Sequence, residues 1–99
     1  MFIHHVYFWL NDPKNQEDRQ KLKEGIESLL TIKPHEVAHV GKPADTNRGV
    51  IDNSYDFSLL MIFKNAEDES LYQSHPVHDD FRNNYARLWS KVLVYDSVD

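Results

Sequence analysis

Residues 2–10, FIHHVYFWL, form an aromatic and β-branched run with no polar face. In an extended strand, Ile3, His5, Tyr7 and Trp9 point one way and His4, Val6, Phe8 and Leu10 the other. A strand covered on one side only alternates apolar with polar residues. This one has to be covered on both, and Asn11, Asp12 and Pro13 then stop it. Residues 55–64, YDFSLLMIFK, make the same demand less evenly. Tyr55, Phe57, Leu59, Met61 and Phe63 share one face. Asp56, Ser58, Leu60 and Ile62 share the other, which begins polar and turns apolar.

The remaining segments supply cover for one face. Leu22, Ile26, Leu29 and Leu30 form a single apolar stripe, which predicts a helix over roughly residues 14–31. Gly25 sits beside that stripe at a cost of about 1 kcal/mol of helix propensity, which implies a close approach to the sheet or a space beside it. Pro34 ends the helix, and residues 35–43 read as a second strand of modest strength. Residues 44–54 are a loop with Asn, Asp and Gly turn chemistry. Asn65 is an N-cap followed by acids in a first turn. Pro76 disfavours helical geometry at His75 and is itself favoured at a helix start, so two short helices meet there. In the second, His78, Phe81, Tyr85, Leu88 and Trp89 recur at helical spacing. A final strand over SKVLVYD places Val92 and Val94 on one face, Leu93 and Tyr95 on the other.

The order β-α-β-β-α-β is that of the ferredoxin-like α+β fold: a four-stranded antiparallel sheet with its helices on one face. A length of 99 residues fits one domain, 1–99, and leaves no further layer for the second face. A second copy, sheet against sheet, is the economical cover, giving a homodimeric α/β barrel. With Phe8 and Leu60 assigned to the partner-facing side, aspartate at either position is expected to split the dimer.

The chain has 16 acidic and 11 basic residues, a net charge of −5 and no basic run, so neither nucleic acid nor an anionic membrane is an expected partner. It has no cysteine, which excludes disulfides, thiolate metal sites and cysteine nucleophiles. No apolar run reaches the ~20 residues of a membrane span. With no secretory signal legible at the start, the expected location is cytoplasmic.

Three stretches carry a family likeness: HHVYFWL in the first strand, VGKP at the end of the second, and YQSHPVHDDFRNNYARLWSKVLVYD at the end of the chain. Together they resemble the stress-responsive dimeric α/β barrel (Dabb) family over essentially the whole chain. Within it they are similar to cyclases of the olivetolic acid type. The resemblance implies a dimer and, in some members, a cavity between sheet and helices. It places catalytic roles on His5, Tyr72 and His78, and pocket-lining roles on Tyr7, Trp9, Leu59, Met61, Val92 and Val94. The bulk of Tyr7 and Trp9 would fill much of such a cavity.

The residues themselves leave two functions open. The first is a barrel protein that binds a small apolar or aromatic molecule, with Phe81 and Trp89 among its contacts. The second is a cofactor-free cyclase, lyase or isomerase acting on a carbonyl compound. In it, a neutral His78 near a helix N-terminus is the general base and Tyr72 the orienting donor. His75, His78, Asp79 and Asp80 are metal-ligand types, but Pro76 interrupts their spacing, and the two aspartates suit the helix start. Neither a metal nor a cofactor is expected.

Overall fold

Strand β1 (Phe2–Leu10) lies inside the sheet, with a strand hydrogen-bonded along each of its edges. The computed structural model describes residues 1–99. β1 is followed by α1 (Gln16–Ser28), β2 (Val37–Gly41), β3 (Phe57–Phe63), α2 (Ala66–Ser74), α3 (Pro76–Tyr85) and β4 (Trp89–Val98). The sheet order is β2-β3-β1-β4, every pairing antiparallel, which is the ferredoxin-like arrangement. No helix is long and apolar enough to cross a membrane.

The local signals act as expected, but α1, β2 and β3 are shorter than read from the sequence, and β4 is longer because Trp89, expected on the helical stripe, opens the strand instead. Asn15 and Asn65 cap α1 and α2, each side chain accepting from the backbone N–H three residues on, Asp18 and Asp68. α1 tightens into a 3₁₀ turn at Leu29–Thr31. His75 is extended between α2 and α3, and its Nδ1 accepts from the Val77 N–H, so this histidine caps the helix that Pro76 begins.

The core lies between the sheet and the helices. On β1 the buried residues are His4, Val6, Phe8 and Leu10, while Ile3, His5, Tyr7 and Trp9 are only half-buried. Phe57, Leu59, Met61 and Phe63 of β3 join them, under Leu22, Ile26 and Leu29 of α1 and its turn. Gly25 lets the helices approach each other rather than the sheet: a Cβ there would stand 2.7 Å from the ring of Tyr85.

No element covers the other face of the sheet, and the chain is a slab 17 Å thick. The strand register sets out that open face in rows. Val37, Ile62, Ile3 and Ser97 lie abreast, then His39, Leu60, His5 and Tyr95, then Gly41, Ser58, Tyr7 and Leu93. One end is partly roofed by the loop before β3, where Tyr55 meets Tyr7 edge-on at 4.9 Å and Ser54 accepts from the Trp9 indole N–H at 3.1 Å. Phe8, expected on this open side, is instead 2% exposed on the helix side, because β1 turns its even-numbered residues inward. Leu60 does lie on the open face, half-buried.

Candidate active site

Between the sheet and the α2–α3 pair lies a cavity of about 290 Å³. Its floor is His4, Val6 and Phe8 of β1, Leu59 of β3, and Val92 and Val94 of β4. Its roof is Tyr72 and Gln73 of α2 with His78, Phe81 and Arg82 of α3, and Leu29 and Trp89 close the sides. Val92 and Val94 remain 36% and 44% exposed, so the cavity opens over the edge strand β4.

Tyr72 is 1% exposed, and its ring meets His78 edge-on at 4.9 Å and His4 edge-on at 5.7 Å. The break at His75 makes this cluster. It lets α3 start in a new direction, so that His78 and Phe81 of α3 face the same space as Tyr72 of α2. Burial, and then the nearby Glu69 carboxylate, push the Tyr72 phenol well above its ordinary pKa, so it stays a proton donor. His78 is buried, and its Nδ1 has no hydrogen-bond partner in the protein. Burial chiefly, then the Arg82 cation and the neighbouring His4, hold its pKa below the ordinary histidine value against the opposing pull of Asp79. At neutral pH it is an uncharged imidazole with a free nitrogen.

Sequence reasoning missed a second histidine in this space. His4 is 4% exposed and hydrogen-bonds through Nδ1 to Asp96 Oδ1 at 2.6 Å. That bond fixes the ring and leaves its other nitrogen free of this contact. The signal was present: Asp96 follows Val92 and Val94 at period two on β4, and His4 precedes Val6 and Phe8 at period two on β1.

Of the residues assigned to the site from sequence, the structure brings together Tyr72, His78, Leu59, Phe81, Trp89, Val92 and Val94. Met61 is fully buried on the same sheet face but does not line the cavity. His5, Tyr7 and Trp9 are not there. They point to the open face, where the Tyr7 hydroxyl and His5 Nδ1 are 3.1 Å apart and Lys91 Nζ sits 4.6 Å from the Trp9 ring centre. The positions assigned to the pocket were one residue out of register along β1, and a slip of one residue moves every side chain to the other face. Tyr7 and Trp9 therefore do not fill the cavity.

A four-stranded antiparallel sheet with its helices on one face, over an apolar, histidine-bearing cavity, makes this an α+β protein of the ferredoxin-like class. The chain matches the family model described as the stress responsive A/B barrel domain (Dabb) over residues 2–99, and it belongs to that family. No curated protein matches its sequence. Among solved structures it is similar to an Arabidopsis thaliana protein at 25% identity, covering 100% of this chain and 95% of that one, with a TM-score of 0.79. A dimeric ferredoxin-like protein from Thermobifida fusca is 17% identical over 99% of this chain and 90% of that one, with a TM-score of 0.77. The hydroxynitrile lyase of Passiflora edulis is 16% identical over 99% and 92% of the two chains, with a TM-score of 0.76.

Proposed function

We propose that this chain is a cofactor-free acid–base enzyme that binds an apolar or aromatic carbonyl compound between its sheet and helices. The observation that carries this reading is the pairing of Tyr72 with His78, edge-on at 4.9 Å, both in the lining of an open cavity. The Nδ1 of His78 lacks a protein partner, an uncommon state for a buried polar atom, and the ring that carries it belongs to the cavity lining. Neutral His78 takes a proton, either from carbon next to a carbonyl or from a hydroxyl. The Tyr72 phenol donates to the oxygen that gains negative charge. Together these steps serve aldol-type closure, isomerisation or carbon–carbon cleavage. His4, oriented by Asp96 and with its ring 5.7 Å from that of Tyr72, returns the proton. The fold hosts a lyase in the Passiflora protein, which supports this chemistry without assigning its substrate here.

The same reading includes a homodimer closed through the open face, supported by the apolar rows on that face and by the dimeric Thermobifida neighbour. His5, Tyr7 and Trp9 then serve assembly rather than chemistry.

The test is a panel of aryl ketones, 1,3-dicarbonyl compounds and an aromatic hydroxynitrile incubated in D₂O. Proton NMR would follow deuterium uptake next to the carbonyl, or aldehyde release. Turnover should fall by about 10²–10⁴ in His78→Ala and in Tyr72→Phe. Turnover untouched by His78→Ala would refute the assignment. Saturable binding with no turnover of any compound would leave the chain a small-molecule carrier, the other function its sequence allows.

A further inference from the structure

The cavity lining carries one formal charge, and it is positive. Arg82 is the only charged side chain around it, in a chain with 16 acidic and 11 basic residues. Arg82 lies one helical turn beyond His78 on α3, so the two project to the same side. Its single partner is Asp79, with Nη2 and Oδ1 2.7 Å apart and both side chains 56% exposed. A solvated pair of this kind holds weakly. A guanidinium presents five N–H donors in a planar fork, so most of Arg82's donors remain free. Two other carboxylates bonded to lining residues are already engaged: Asp96 with His4, and Glu69, which accepts from the Gln73 amide at 2.8 Å. Glu69 lies on the Tyr72 side, where it disfavours an anion, whereas the field of Arg82 reaches His78.

We propose that the ligand of this cavity is a carboxylate borne on an apolar or aromatic body, with the carboxylate held by Arg82 at the mouth and the body lying over Val6, Phe8 and Val92. This rests on reading the cavity as a ligand site. One planar fork suits a planar carboxylate, and a phosphate dianion would call for a second cation that the lining does not supply.

Two probes of equal length and different charge, 4-phenylbutyrate and 4-phenylbutanamide, separate the possibilities. Titrations followed by ¹H–¹⁵N NMR would report on Tyr72, His78 and Arg82. The wild-type protein should bind the carboxylate about tenfold more tightly than the amide. Arg82→Gln should erase that preference. Asp79→Asn, which frees the guanidinium, should widen it. Equal affinities in the wild type, a preference that survives Arg82→Gln, or one that fails to widen in Asp79→Asn overturns the role of Arg82 while the cavity reading stands. If neither probe moves Tyr72 or His78, both fall together.

Discussion

Gly25→Ala ought to stabilise an ordinary helix, and here it should do the opposite. Alanine gains about 1 kcal/mol of helix propensity over glycine. Against this, the new Cβ would lie 2.7–2.8 Å from Cγ, Cδ1 and Cδ2 of Tyr85, about 1 Å inside normal carbon contact. These atoms are at the root of the ring and cannot swing away as a flexible chain end does. The ring is also backed by Phe81, stacked on it at 5.7 Å, and Phe81 in turn stacks on Trp89 at 5.3 Å. Overpacking of this kind costs about 1–3 kcal/mol. Because the ring cannot give way, the cost should fall in the upper part of that range, about 2–3 kcal/mol, for a net loss of about 1–2 kcal/mol, or roughly 5–15 °C in Tm for a domain of this size. Gly49, whose Cβ would meet nothing within 4 Å, supplies the control: Gly49→Ala should leave Tm nearly unchanged. Both are measured by thermal denaturation at one protein concentration, since assembly shifts Tm. Because Phe81 lines the cavity, Gly25→Ala should also weaken ligand binding. A Gly25→Ala protein as stable as the wild type, or more so, would refute the packing argument.

Three further outcomes follow from the geometry. Leu60→Asp, on the open face, should give a folded monomer by light scattering, whereas Phe8→Asp should unfold the chain, because it buries a charge in a core site that is 2% exposed. An intact Leu60→Asp dimer would count against closure through that face. His78→Ala should cost about 1–2 kcal/mol in chemical denaturation, from lost ring packing on Tyr72 and with no hydrogen bond of Nδ1 to lose; a drop of 3 kcal/mol or more would give the residue a structural role instead. His78 and His5 both have folded pKa values depressed by burial first, helped by Arg82 for His78 and by His39 for His5. The unfolded chain then binds more protons as pH falls below about 6.5, so stability present above that value is lost on acidification through the depressed values. Guanidinium melts at pH 7.5 and pH 5.5 should show that loss, and His78→Gln should reduce it; equal stability at the two pH values would contradict the burial of neutral imidazoles.

The fold was legible because the strongest constraints were local and repeated. Two short helices joined at His75 followed from one proline, and the sheet layout followed from element order. The cavity was legible only in part. Tyr72, His78 and Phe81 sit on helices where spacing dictates direction, whereas Trp89, read on the same helical stripe, reaches the cavity from the start of β4. β1 is different: with apolar groups on both faces, period two separates its residues into two sets without saying which set turns inward. Their chemistry does carry a hint. Val6, Phe8 and Leu10 have no polar tip and suit a dry core, while His5, Tyr7 and Trp9 are amphipathic rings of the kind enriched where two protein surfaces meet.

Read with that distinction, the adjacent pair His4–His5 connects the two halves of the molecule. One imidazole is pinned to Asp96 beneath the helices and the other touches Tyr7 on the open face, with one peptide unit between them. β1 is hydrogen-bonded on both edges and has little freedom to slide. A register shift of β1 would exchange the two histidines, strip Asp96 of its partner, and put Tyr7 and Trp9 into the cavity. The bulk of those aromatic rings thus penalises the wrong register as well as serving the open face. The one-residue ambiguity in the sequence is removed in the folded chain by the volume available under α2 and α3.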